Sequence, residues 1–282
     1  MIKVKKLSFR YPSRQVDTIK DLDFEIEAGE IFGFLGPSGS GKSTTQKILF
    51  KLLPGYSGDL FFDGKPLDQW DRSFYEKIGV SFELPNHYLK LTARENLQFF
   101  NAFYQRKSKS WMKWVEQVGL EKDLDIPVGN FSKGMKMRLN FVRALLHDPE
   151  VIFLDEPTSG LDPINAGKIK NAIRELKQQG KTIFLTTHNM FDADQLCDRV
   201  ALLHEGKIIT LDAPGHLKLQ HGKKRVKVTL NGKQEEHYFE FEQLGSNQEF
   251  IEMINQPTLS TIHSEEATLE EVFIKLTGAQ LL

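Results

Sequence analysis

Ile31-Phe-Gly-Phe-Leu35, running directly into Gly36-Pro37-Ser38-Gly39-Ser40-Gly41-Lys42-Ser43 and then a helix-like stretch to Leu53, decides the fold. The first five residues read as a short, continuously apolar strand of the buried kind. The next eight match G-x-x-x-x-G-K-[ST] in full, and strand, glycine loop and helix come in the order a phosphate site needs. Glycines let consecutive backbone N–H groups curl around phosphates with no Cβ in the way, and the helix N-terminus adds the positive end of its dipole. Lys42 is placed to neutralise β- and γ-phosphate charge and Ser43 to ligate Mg²⁺. Gly36, Pro37, Ser38, Gly39, Ser40, Gly41 and Thr44 complete the nucleotide-binding set. A glycine-rich turn with a surface lysine would not explain the flanking strand and helix.

Downstream, Val151-Ile-Phe-Leu-Asp155-Glu156 puts two carboxylates at the end of an apolar strand, where open α/β sheets bind ligands. Burying adjacent acids is costly without a cation. Asp155 therefore reads as a Mg²⁺ partner and Glu156 as the base or water-orienting group for attack on the γ-phosphate. The plainer alternative, two acids capping a helix at Pro157-Thr158, carries equal weight only without the phosphate loop upstream.

The rest of the chain implies an α/β protein. Ile2–Phe9 and Thr18–Ile26 roughly alternate apolar and polar residues, as strands do, with turns at Tyr11-Pro12-Ser13 and Ala28-Gly29-Glu30. Short strands are expected at Leu60–Asp63 and Lys77–Phe82, then aromatic, helix-like material from Thr92 to Val118, within a helical subdomain at about 85–148. Lys168–Lys177 carries Ile169, Ile173 and Leu176 on one helical face, and Thr182–Thr186 reads as a strand. Alternating strands and helices imply a mostly parallel sheet covered on both faces. After His221-Gly-Lys-Lys-Arg225 the pattern breaks. Strands at Val226–Leu230, His237–Phe241 and Leu259–His263, with helices at Gln248–Asn255 and Thr268–Leu276, suggest a small α+β domain at 221–282 behind a main domain at 1–220.

Composition excludes several classes. With 282 residues, 40% hydrophobic and 27% charged, the chain can build a core and is neither disordered nor collagen-like. Lys and Arg number 37 against 38 Asp and Glu, a net charge of −1, so no global charge attracts nucleic acid or an anionic membrane. The single Cys197 precludes an internal disulfide and reads as a packed thiol in a reducing compartment. Met1-Ile-Lys-Val-Lys-Lys turns charged too early for a secretory leader, and no apolar run reaches the roughly 18–20 residues that cross a bilayer.

These motifs resemble the nucleotide-binding domain of ATP-binding cassette (ABC) proteins, from about Ile2 to Pro214. The family signature, usually Leu-Ser-Gly-Gly-Gln, is matched in part by Phe131-Ser132-Lys133-Gly134-Met135. The resemblance implies that Ser132 and Gly134 reach the γ-phosphate of a partner's ATP across a head-to-tail dimer. Lys133 and Met135 depart from the pattern. Ser159-Gly160-Leu161-Asp162 resembles the D-loop that couples the two sites, His188 the switch histidine at the γ-phosphate, and Tyr11 the aromatic stacked on adenine. Where the family usually has a Gln that reaches Mg²⁺ and the attacking water, this chain has Glu83, a credible Mg²⁺ ligand and equally a repulsive neighbour of the γ-phosphate.

The implied fold is a P-loop NTPase cassette of the ABC type with a helical subdomain and an antiparallel β subdomain, followed by the small α+β domain. The implied activity is Mg²⁺-dependent ATP hydrolysis by a dimer of two copies, or of this chain with a homologous cassette. It would drive a separate multi-span membrane permease at the cytoplasmic face of the membrane, with no nucleic-acid partner and no membrane span of its own. Ala267-Thr-Leu-Glu-Glu-Val-Phe273 and Leu276-Thr-Gly278 resemble the C-termini of bacterial drug-exporter subunits, which favours export. A soluble ABC protein of DNA repair or translation is the alternative. It usually carries coiled-coil insertions, zinc cysteines or tandem cassettes, none of which is seen here. A P-loop kinase or GTPase would have no reason for the Ser132–Gly134 segment.

Overall fold

The computed structural model describes residues 1–106, 111–222, 224–230, 236–265 and 267–279. Residues 107–110 of the helix-like stretch and Lys223 of the basic run lie outside them. Contacts divide the chain between Leu211 and Asp212.

In the first unit, β1 (Ile2–Phe9), β2 (Ile19–Ile26) and β4 (Ser57–Phe62) pair antiparallel with β1 in the centre, and β5 (Lys65–Pro66) follows on the edge. A six-stranded sheet runs β10-β9-β3-β8-β7-β6, from β3 (Ile31–Leu35), β6 (Ile78–Ser81), β7 (Val151–Asp155), β8 (Thr182–Thr187), β9 (Arg199–His204) and β10 (Lys207–Asp212). β6, β7, β8, β3 and β9 are mutually parallel. Every residue of β3, β7 and β8 is buried, as expected for strands covered on both faces.

One apolar cluster joins both sheets to α1 (Lys42–Leu49). Phe24 stacks on Phe32 at 5.7 Å, and Phe34 meets Phe184 at 5.4 Å. Burying each such ring contributes roughly 1.5–3 kcal/mol, which sets the platform from which the phosphate loop springs.

α2 (Phe74–Lys77) runs directly into β6, taking Lys77 from the expected strand. The helical subdomain contains α3 (Ala93–Asn101), α4 (Trp111–Gln117) and α5 (Lys133–Ala144). A capping box starts α3, with Thr92 Oγ1 accepting from Glu95 N and the Glu95 carboxylate accepting from Thr92 N. α6 (Pro163–Gln178) starts earlier than its apolar periodicity suggests, because Asp162 caps it through the N–H groups of Ile164 and Asn165. α7 (Met190–Leu196) follows β8.

The second unit begins at Asp212, ahead of the expected position 220/221. The reason is α8 (Pro214–His221), which belongs with α10 (Leu269–Thr277): Lys275 Nζ donates to His221 O at 2.8 Å, and a Cβ on Gly222 would lie 2.1 Å from that of Ala267. Its sheet is β11 (Arg225–Leu230) between β12 (Glu236–Glu240) and β13 (Leu259–Glu265). α9 (Gln248–Ile254) brings Phe250 and Met253 against a small core of Val226, Val228 and Phe239.

Candidate active site

β3 ends at Leu35 and the chain turns through Gly36–Gly41 into α1. Two glycines are demanded by space: a Cβ on Gly36 would lie 2.2 Å from the Leu203 carbonyl oxygen, and one on Gly41, at φ +108°, 3.2 Å from that of Thr18. Lys42 Nζ donates to the carbonyls of Gly36 at 2.7 Å and Pro37 at 3.0 Å, which pulls the loop around its own cation. Ser40 is buried, with its N–H on Pro37 O and its carbonyl on Gly206 N, so it shapes the loop from beneath.

The parallel register of β7 and β8 sets Asp155 beside Thr186. Thr186 Oγ1 donates to Asp155 Oδ1 at 2.5 Å, and Ser43 Oγ donates to the same oxygen at 3.2 Å. One step on, Thr187 Oγ1 donates to Glu156 Oε2 at 3.0 Å, while the backbone N–H of His188 donates to Glu156 Oε1 at 2.9 Å. His188 Nδ1 lies 2.7 Å from that same Oε1. The tautomer donating from Nδ1 leaves Nε2 as an acceptor. Glu156 adopts φ +48°, a left-handed conformation costly for an L-residue.

A cavity of about 490 Å³ gathers most of the expected residues: Tyr11, Ser38, Gly39, Gly41, Lys42, Ser43, Thr44, Glu83, Glu156 and His188 line it. Tyr11 reaches it with its hydroxyl 3.2 Å from Thr44 Oγ1 and its ring edge-on to Phe9. An adjoining cavity of about 360 Å³ has Ser43, Glu83 and Asp155 in its wall. Burial pulls the Lys42 ammonium below the usual lysine range, with the carboxylates of Glu156, Asp155 and Glu83 opposing. Burial pushes the Asp155 carboxyl up, and the charges of Glu83 and Glu156 push the same way against the hydrogen bonds from Thr186 and Ser43. Clustered carboxylates beside a neutral hydroxyl oxygen suit a hard cation. Mg²⁺ takes one or two carboxylates and completes its shell with phosphate oxygens and water, and this donor set fits it. Among the described residues no group of three or more His, Cys, Asp or Glu side chains could by itself hold a metal ion.

Ser132, Gly134 and Asp162 lie outside this cavity. Ser132 is exposed and caps α5, accepting from Met135 N at 3.2 Å. Gly134 is pressed against the D-loop segment, for a Cβ there would be 3.2 Å from Leu161 Cδ2. The sequence reading missed Arg14 and Thr18 in the cavity wall and Thr186 and Thr187 behind the carboxylates. Two hydroxyls closing a buried strand were the available signal for the threonines. Arg14, whose N–H bonds Tyr11 O at 2.9 Å, could have been found as a cation in the same turn as the aromatic.

The ABC transporter family model matches residues 19–159. Over its whole length the chain is 48% identical to a fluoroquinolones export ATP-binding protein of Mycobacterium tuberculosis, covering 94% of that protein. It is 34% identical over 99% of its length to the bacitracin transport ATP-binding protein BcrA of Bacillus licheniformis, covering 97% of it. A dimeric bacterial ABC transporter cassette superposes with a TM-score of 0.70 at 28% identity, covering 76% of this chain and 98% of that one. A post-hydrolysis dimer of that cassette with ADP and Pi gives 0.69 at 27% identity over the same shares. Export subunits among the relatives do not favour the soluble repair or translation alternative. The chain thus belongs to the ABC transporter family, as an ATP-binding and ATP-hydrolysing subunit of the exporter kind.

Proposed function

We propose that two copies of this chain, or one copy and a homologous cassette, close head to tail over two ATP molecules and drive export through a separate multi-span permease. Backbone N–H groups of Gly36–Ser43 and the Lys42 cation would bind the β- and γ-phosphates, with Tyr11 against the adenine. Ser43 and Asp155, with Glu83 beside them, would hold Mg²⁺, which when bound supplies charge screening of those phosphates. The Glu156 carboxylate, kept in place by Thr187 and His188, accepts the proton of the attacking water as ATP and water become ADP and phosphate. Ser132 and Gly134 of the second copy would cover the γ-phosphate from the other side, with Asp162 at the crossing point.

The observation that carries the permease reading is a groove of about 400 Å³ lined by Phe50, Leu52, Tyr75, Phe82, Phe100 and Tyr104, with Lys51 and Arg143 in its wall. Leu52 is 56% exposed and Phe103, alongside, 68%. Concentrated aromatic surface of this kind with flanking cations is what a partner helix buries. The groove also touches Phe82, immediately before Glu83, so a helix seated there would sense the nucleotide site. No helix of the described residues is long and apolar enough to cross a membrane. In this reading the subunit works at the cytoplasmic face of the membrane through its permease partner.

Where a neighbouring reading frame encodes a multi-span membrane protein, co-expression with it tests the reading. The two should copurify in detergent, and Leu52→Glu with Phe103→Glu should abolish copurification while the isolated subunit still hydrolyses ATP. Undiminished copurification of that variant counts against the groove.

A further inference from the structure

Behind the Glu156–His188 pair lies a second, part-buried link between the same two segments. Asp192, four residues after His188, is 5% exposed in the first turn of α7. Its Oδ2 accepts from Thr158 Oγ1 at 2.7 Å, and Thr158 is two residues after Glu156. Its Oδ1 accepts from Lys170 Nζ at 3.0 Å, on the helix that begins where the Ser159–Asp162 loop ends. Lys170 also donates to Gln195 Oε1 at 3.0 Å. Asn189 Oδ1 accepts from Asp192 N at 3.1 Å, which fixes the turn that carries the carboxylate. Thus the segment leaving Glu156 and the segment leaving His188 are tied by two successive rungs, 156 to 188 and 158 to 192. The second rung is anchored to α6 by an ion pair.

This matters because Glu156 is in a left-handed conformation, and such strain persists only where the surroundings hold it. Thr186 O accepts from Glu156 N at 2.9 Å on the strand side. On the other side the chain passes through Pro157, and Thr158 then makes the side-chain tie to Asp192. The loop closes on itself through Ser159 N to Glu156 O at 3.1 Å and Leu161 N to Thr158 O at 3.2 Å, so displacement of Thr158 is transmitted to both Glu156 and Leu161.

We infer that Asp192, through Thr158, is a positioning residue for hydrolysis, holding the Glu156 segment and the His188 helix as one unit so that both side chains meet the γ-phosphate in register. This rests on the roles of Glu156 and His188 given above. Thr158 and Asp192 do not line the nucleotide cavity, so ATP affinity should be spared while turnover falls.

Steady-state ATPase kinetics and thermal melting of the full-length protein test this. Thr158→Val keeps the side-chain shape and leaves the Asp192–Lys170 pair intact, so it remains informative even if Asp192→Ala fails to fold. Both variants should lower kcat by roughly 10–100-fold with the KM for ATP within about twofold, since small misplacements of catalytic groups carry costs of that size. Thr158→Ser, which restores the hydroxyl, should recover most of the rate. In a His188→Ala background Thr158→Val should add little, because residues acting as a unit are not additive. Wild-type kcat in Thr158→Val, a Ser variant as slow as the Val one, or multiplicative losses with His188→Ala would overturn the inference. Unimpaired turnover in both Glu156→Gln and His188→Ala would instead overturn the site reading on which it stands.

Discussion

Asn140 Nδ2 donates to the carbonyl of Phe82 at 2.8 Å, and Phe82 is the residue before Glu83. The amide is fully buried and also donates to Ser81 Oγ at 3.1 Å. Two further bonds repeat the pattern along α5. His87 Nε2 lies 3.0 Å from Lys136 O, and Arg143 Nη1 donates to Asn86 O at 2.5 Å. Positions 136, 140 and 143 share one helical face. The loop carrying Glu83 is therefore fastened along the helix whose N-cap is Ser132.

Glu83→Gln tests whether the carboxylate serves the metal. Opposite unit charges at 4 Å interact by about 4 kcal/mol at an effective dielectric of 20, and repulsion of the γ-phosphate offsets this once Mg²⁺ is bound. Turnover at saturating Mg²⁺ should stay within about tenfold of wild type. The Mg²⁺ concentration for half-maximal activity should rise. An unchanged titration would make Glu83 a solvated loop acid, and a lowered requirement would show that repulsion dominates.

His87 should make the fold sensitive to mild acid. Burial, with Arg143 and Lys136 adding to it against the hydrogen bond to Lys136 O, holds its pKa down at about 4. A depressed pKa contributes stability that is present above pH 6.5 and lost as pH falls toward 4, because only the unfolded chain takes up the proton in that window. The loss is on the order of 2–3 kcal/mol. Melting temperatures between pH 6.5 and 4.5 should fall more steeply for wild type than for His87→Gln; parallel curves would remove His87 as the cause.

Glu156→Gln keeps the shape of the site but removes the base. Hydrolysis should drop by about 10²–10⁴-fold while ATP still binds. Mg-ATP should then trap a dimer in size-exclusion chromatography. Wild-type turnover in the variant would take Glu156 out of its role.

Among the described residues, all those lining the nucleotide cavity precede Asp212. A chain ending at Leu211 should fold and show an ATP-dependent rise in melting temperature. Folding without that rise would mean that the second unit supports the site.

Contiguous features were legible in the sequence. Ile31–Ser43 and Val151–Glu156 each hold strand, turn and chemistry within a few residues, and local backbone preference together with burial suffices to specify them. β9 and β10 were not legible there, nor was α5 as a helix running from Lys133 to Ala144. Leu202 in β9 is placed by parallel pairing with Leu35, a neighbour far away along the chain. That contacts divide the chain at Asp212, ahead of the expected 220/221, has a similar reason, since α8 is claimed by α10, near the other end of the second unit.

The sequence by itself determined which groups could do the chemistry: a glycine loop, a lysine, a serine and two strand-end acids. Only the tertiary structure decided how they are held. Asp155 faces Thr186 because β7 and β8 pair in one register out of several possible, and slipping it by one residue would turn those side chains to opposite faces. That register is set by burial of Ile152, Phe153 and Leu154 against Ile183, Phe184 and Leu185, a collective packing choice that no local pattern encodes. The Glu156–His188 and Thr158–Asp192 rungs follow from it.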